Sequence, residues 1–137
     1  MQPIVYLFFD GACDAAMRFY GQVFGTEPEI LGLDSAPAEV RASLPGASGV
    51  MHSAVQVGSG WIYAADDMSG DAVAAMQGCS ISVSLPDEAE ARRVFDALSE
   101  GGTVRMPMAP MFFSPAFGTL TDRFGTRWMV MTDMVRG

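Results

Sequence analysis

Apolar and polar positions along this chain change period in the same order twice. Residues 3–9 alternate and are rich in aromatic side chains, which predicts a strand that Asp10-Gly11 ends. Over residues 12–24 the apolar side chains Ala16, Phe19, Tyr20, Val23 and Phe24 recur at helical spacing, so one face of a helix lies on a sheet, and Gly25 suits its C-terminus. A short strand is expected at 28–33, followed by a mostly irregular stretch over 34–48 in which Ser35 and Pro37 can open one helical turn. Strands at 50–57 and 61–66 flank Gly58-Ser59-Gly60, a hairpin signal. Residues 67–78 read as a linker, with a turn of helix at Asp71–Met76.

The rhythm then restarts. Cys79–Leu85 alternates as a strand, and Pro86-Asp87 opens a second helix that runs to about Ser99 with Ala91, Val94, Phe95 and Leu98 on one face. Gly101-Gly102 ends it. A strand at 103–108, a loop at 109–115 and strands at 117–121 and 126–132 complete the chain. Aligning Arg18-Phe19-Tyr20 with Arg93-Val94-Phe95 puts the two helices in register. The order strand, helix, three strands, given twice, predicts an internal duplication: an α+β fold of two tandem βαβββ modules, about 1–70 and 78–137, within one domain spanning 1–137.

Composition narrows the classes of function. Half of the 137 residues are hydrophobic and 18% are charged, enough for a packed core and against disorder. No apolar run reaches the ~20 residues of a membrane span. The first residues enter a strand-like segment with no basic region ahead of them, so no signal peptide is expected and the chain reads as cytoplasmic. All eight basic residues are Arg, with no Lys, so a Schiff base to pyridoxal phosphate or to a carbonyl substrate has no amine to form on. A net charge of −8 argues against a nucleic-acid partner, because phosphate binding needs clustered positive charge.

Few residues offer chemistry. His52 is the only histidine, and its intrinsic pKa suits a general base, but no second chemical group is identifiable beside it in the sequence. Cys13 opens a helix, where the dipole lowers a thiol pKa; against that stands the commoner role of a small buried residue. Met106-Pro107-Met108-Ala109-Pro110-Met111 could be read as a soft-metal site, but without Cys or His beside it the segment reads as adaptable apolar lining. Asp87, Glu88 and Glu90 fit capping of the second helix, Asp122 fits capping of the last turn, and Asp66-Asp67 reads as a solvated turn.

Tyr6-Leu7-Phe8-Phe9-Asp10-Gly11, Phe19-Tyr20 through Val23-Phe24-Gly25, Val50-Met51-His52, Phe117-Gly118, Thr121-Asp122-Arg123-Phe124-Gly125 and Trp128 together resemble the vicinal oxygen chelate superfamily, the glyoxalase, bleomycin-resistance and extradiol dioxygenase fold. Within it the chain is similar to the PhnB-like branch, also labelled 3-demethylubiquinone methyltransferase-like. The chain has no glycine-rich nucleotide loop after a strand to accompany that label. The resemblance implies sheets curled into a half-open mixed cup and, in metal-dependent members, a divalent ion held by His and Glu from the first and fourth strands of each module.

Carried over one at a time, those ligand positions fall on Val5, Tyr63, Ser80 and Met129, none of which chelates in the family's manner. The resemblance further implies a ligand pocket walled by Val5, Leu7, Trp61, Tyr63, Ser80 and Met129, under a loop carrying Met106, Met108 and Phe113. Relatives often hold a Trp-Gly or Trp-Ala pair in that loop, where this chain has Phe113-Ser114. The expectation is a metal-independent protein, without cofactor, that binds a small organic molecule in an apolar Met- and aromatic-lined cup. Two alternatives stand beside it: a glyoxalase-like enzyme with atypical site residues and His52 as base, and a regulatory module without ligand. Family analogy implies a homodimer.

Overall fold

The computed structural model of the protein describes residues 1–44, 48–69 and 73–133. The chain divides into two compact units, Met1–Ala74 and Ala75–Gly137. The first unit holds β1 (Val5–Phe9), α1 (Cys13–Phe24), β2 (Glu29–Gly32), α2 (Ala38–Ser43), β3 (Val50–Val57) and β4 (Gly60–Asp66). The second holds β5 (Ile81–Leu85), α3 (Glu88–Ser99), β6 (Thr103–Met111), β7 (Ser114–Thr121) and β8 (Arg127–Thr132). Each unit builds one four-stranded mixed sheet, in the order β1-β4-β3-β2 or β5-β8-β7-β6. In both, the first strand runs parallel to the last and the other pairings are antiparallel. The duplicated βαβββ order and the α+β class therefore hold.

In the first unit α1 packs on β3 and β4. Its buried stripe is Cys13, Ala16, Met17, Phe19, Tyr20 and Val23. The pleat fixes what faces it, because cross-strand partners share a face. Ser53 touches Cys13 of α1, and its neighbours across the sheet are Ala64 and then Leu7. Tyr6, Phe8, Trp61, Tyr63, Ala54 and His52 alternate with these and occupy the other face. In the second unit α3 lays Ala91, Val94, Phe95 and Leu98 on the sheet. Asp87 caps α3 as expected, accepting from the Glu90 N–H at 2.8 Å. Gly118 is where helix and sheet come closest: a Cβ there would lie 2.7 Å from a Phe95 ring carbon and 2.9 Å from the Met108 sulfur.

Two stretches differ from the sequence expectation. The segment expected to be mostly loop carries a 3₁₀ turn at Leu33–Ser35, and the helical turn expected from Ser35 and Pro37 is the short helix α2, which begins directly after Pro37. Proline's fixed φ suits a helix start, where its missing N–H has no partner to lose. The expected loop at 109–115 is mostly strand: β6 runs to Met111 and turns straight into β7 at Ser114. Pro107 and Pro110 concealed this strand. They are tolerated because β6 is the sheet edge, and its pairing with β7 slips register three times. The helical turn expected at Asp71–Met76 begins outside the described residues, and 73–76 carry no helix. No helix among the described residues is long and apolar enough to cross a membrane.

Candidate functional site

The face of the first sheet turned away from α1 carries bulky side chains that the core does not absorb. Tyr6, Phe8 and Trp61 are 39%, 57% and 40% exposed on it. Tyr6 pairs in register with Tyr63, which pairs with Ala54. His52, two residues before Ala54, is therefore on the same face. The Tyr6 hydroxyl lies 3.0 Å from His52 Nδ1. The Tyr63 ring meets the His52 ring edge-on, with centroids 5.2 Å apart, and stands perpendicular to Tyr6 at 6.3 Å. Tyr6 also packs against Phe8 at 5.1 Å.

Burial pushes the Tyr6 phenol above its ordinary pKa, with a further upward contribution from Cys13. The phenol is therefore protonated near neutral pH. The Tyr6 hydroxyl and His52 Nδ1 share this hydrogen bond, with the donor set by the imidazole tautomer. The partner for His52 that the sequence did not disclose is thus a tyrosine 46 residues away.

The second sheet carries a separate feature, a cleft of about 360 Å³ lined in part by Ser80, Arg105, Met106, Thr119, Arg127 and Met129. Met129 and Arg127 share a face of β8 by alternation. Thr119 is the cross-strand neighbour of Met129, and Met106 that of Thr119. Arg105 is the extra residue of a bulge: Val104 pairs with Leu120 and Met106 with Thr119, so two β6 positions oppose one step of β7.

The expected pocket residues therefore separate. Trp61 and Tyr63 are on the open face of the first sheet, and Ser80, Met106 and Met129 line the cleft of the second. Leu7 is 6% exposed on the face toward α1, and Val5 shares its parity. The resemblance points to Val5, whereas the pleat sets Tyr6 beside Tyr63. Met108 turns the other way from Met106, and its sulfur fills the space over Gly118 that a Cβ would take. Phe113 forms the β6–β7 turn, edge-on to Phe112 and Phe117. Ser114 beside it is buried, its hydroxyl within hydrogen-bond distance of the carbonyls of Ala116 and Thr132, either of which can take its one proton.

Two acidic and thiol candidates are structural. Asp66, expected in a solvated turn, is 4% exposed. Its carboxylate accepts from the Cys13 N–H at 3.0 Å and the Val50 N–H at 2.8 Å. Asp67 is the solvated one, its pKa lowered by hydrogen bonds from the Ser69 hydroxyl and backbone N–H. Cys13 is fully buried, 3.4 Å from the Ser53 hydroxyl. Burial above all pushes its thiol up to about 11, overriding the helix dipole.

Native protein at pH 8 should accordingly give one fast thiol reaction, at the exposed Cys79, and a slow one at Cys13. A raised thiol pKa means that the folded state holds the proton longer than the unfolded one. This contribution to stability is full below the unfolded pKa of about 9 and is lost as pH rises through about 11. Cys13→Ala should flatten that alkaline fall, as measured by urea unfolding between those pH values.

The ligand positions expected from the resemblance hold Val5, Tyr63, Ser80 and Met129. Among the described residues, no three His, Cys, Asp or Glu side chains gather into a metal-binding group. This donor set does not fit a divalent ion, whose sites draw mainly on imidazole and carboxylate.

Residues 2–131 match the family described as 3-demethylubiquinone-9 3-methyltransferase. The chain is 38% identical to protein PA1353 from Pseudomonas aeruginosa, with a TM-score of 0.87 over 97% of this chain and 98% of that one. It is 24% identical to the PhnB protein from Bacillus cereus, with a TM-score of 0.77 over 96% and 99%. At the level of fold alone it is similar to a glyoxylase/bleomycin resistance protein/dioxygenase domain from Frankia, at 12% identity and a TM-score of 0.66 over 100% and 94%.

Proposed function

The chain belongs to the 3-demethylubiquinone-9 3-methyltransferase family, the PhnB-like branch of the vicinal oxygen chelate superfamily, and from that premise we propose that it is a metal-independent protein that binds a small organic molecule. The observation that carries this reading is the exposed face of Tyr6, Phe8, Trp61 and Tyr63 around His52. Large aromatic side chains left in water on one face mark an interaction surface. They bury much area at little conformational cost, while a few polar atoms fix orientation. The missing chelating side chains support the metal-independent part.

Thermal melts with Ni, Zn, Mn, Fe(II) and Cu(I), with elemental analysis and a panel of small aromatic and aliphatic compounds, test the proposal. The metals should leave the melting temperature unchanged. A compound that binds should raise it by mass action, adding about 2.7 kcal/mol at one hundred times its Kd. Trp61→Ala should abolish that gain. Near-stoichiometric metal with a rise in melting temperature would overturn the proposal.

The Tyr6–His52 hydrogen bond favours a second reading, a glyoxalase-like enzyme in which His52 moves a proton. A phenol that holds Nδ1 orients the imidazole, as a base needs. Under this reading His52→Gln loses turnover while binding persists, and Tyr6→Phe loses part of it with a shifted pH profile. We also read the protein as a cytoplasmic homodimer, by analogy with the family, which light scattering of the purified protein tests.

A further inference from the structure

We propose that the cleft of the second sheet is itself a site for a small organic anion, whose carboxylate or phosphonate group Arg105 and Arg127 receive. The inference goes beyond the small-molecule reading above, which is carried by the first sheet, and concerns a site within the second unit alone. The chain carries a net charge of −8, and carboxylates outnumber arginines two to one. Arg18, Arg92 and Arg93 pair with Asp14, Glu88 and Glu90 on the helix surfaces. Arg105 and Arg127 make no ion pair among the described residues, yet both line the same cleft. The Arg127 Nε atom is buried and has no hydrogen-bond partner among the described residues.

A buried guanidinium N–H without an acceptor is costly, and proteins keep such groups chiefly where something else supplies the acceptor. The planar fork of Arg matches a carboxylate or phosphonate oxygen pair, and a dry wall on one side strengthens the contact. Arg105 reaches the cleft through a β-bulge, a device that re-aims a side chain at the cost of regular pairing. Ser80 and Thr119 add hydroxyls, while Met106 and Met129 offer an apolar wall for the rest of the molecule. An anionic head with an apolar body fits this lining. A cation does not, since no carboxylate among the described residues lines the cleft.

The test uses three probes of one shape: benzoate, phenylphosphonate and neutral benzyl alcohol, titrated by amide NMR into the full-length protein and into R105Q, R127Q and R127K. Benzoate or phenylphosphonate should shift the amides of residues 105, 119, 127 and 129 saturably, and whichever binds tighter identifies the head group. Each Gln variant should weaken that anion about tenfold or more, R127K less, and benzyl alcohol should be indifferent to all three substitutions. The melting temperature of R127M separates ligand binding from a structural role. An arginine held for a ligand can be replaced without loss of stability in the free protein, whereas a structural one cannot.

No saturable shift by either anion would overturn the proposal, as would equal affinity for benzyl alcohol or anion binding unchanged in R105Q and R127Q. If benzyl alcohol binds and the anions gain nothing over it, only the anion site fails and the small-molecule reading stands. If no compound of the wider panel binds anywhere, both fail.

Discussion

Asp66→Ala should lower the stability of the protein by about 3 kcal/mol, the cost of leaving two buried backbone donors without an acceptor. The Cys13 N–H, in the first turn of α1, and the Val50 N–H, at the start of β3, both point at this one carboxylate. The residue at the N-cap of α1 is Ala12, which has no side chain to cap with, so Asp66 supplies the cap from the end of β4. Its negative charge also sits where the helix dipole favours it. Gly49 belongs to the same arrangement. Its φ of 102° suits glycine, and a Cβ there would collide with Asp66 Oδ2.

Asp66→Asn keeps one acceptor but turns an amide donor toward the other N–H, so about half the loss is expected. Urea unfolding at neutral pH measures both variants. An alanine variant within about 1 kcal/mol of the parent would show that water or backbone movement satisfies these donors instead.

Asp66 also shows where the sequence stops being legible. The elements followed from period and punctuation: the helical stripes of α1 and α3, the hairpin glycines, and the Pro86-Asp87 start of α3 are local signals, and all survive in the structure. What failed was non-local. Asp66 caps a helix 53 residues earlier, and nothing in Asp66-Asp67 distinguishes the buried carboxylate from the exposed one. Tyr6 reaches His52 only because β1 pairs with β4 and β4 with β3.

Val5, expected in the pocket, is one residue from Tyr6, which pairs with Tyr63, and one residue of register exchanges the two faces of a strand. Met106 and Met108 would share a face in a regular strand, but the slips in the β6–β7 register set them on different sides. The bulge at Arg105 leaves no mark in the sequence, so the arginine cleft could be found only in three dimensions.

Asp122→Ala should be the most damaging single substitution, at about 4 kcal/mol, because three donors converge on its carboxylate. Oδ1 accepts from the Phe124 N–H at 2.8 Å and the Thr126 N–H at 3.0 Å, which closes the turn between β7 and β8. Oδ2 accepts from Trp128 Nε1 at 2.9 Å. Trp128 is fully buried, and its indole N–H would otherwise have to be desolvated without compensation.

The turn half of this arrangement was legible, since Asp three residues before a positive-φ glycine closes turns; the tryptophan half was not. A double-mutant cycle separates them. Trp128→Phe removes the indole donor, so the cost of Asp122→Ala should shrink by about 1–2 kcal/mol in that background. Tryptophan fluorescence of Asp122→Ala should move to the red as Trp128 loosens, while Asp122→Asn, which retains the turn acceptor, moves less. Trp128 also lines the arginine cleft. If Asp122 holds that wall in place, Asp122→Asn should weaken benzoate binding without any change in Arg105 or Arg127. An additive cycle with unchanged binding would confine Asp122 to the turn.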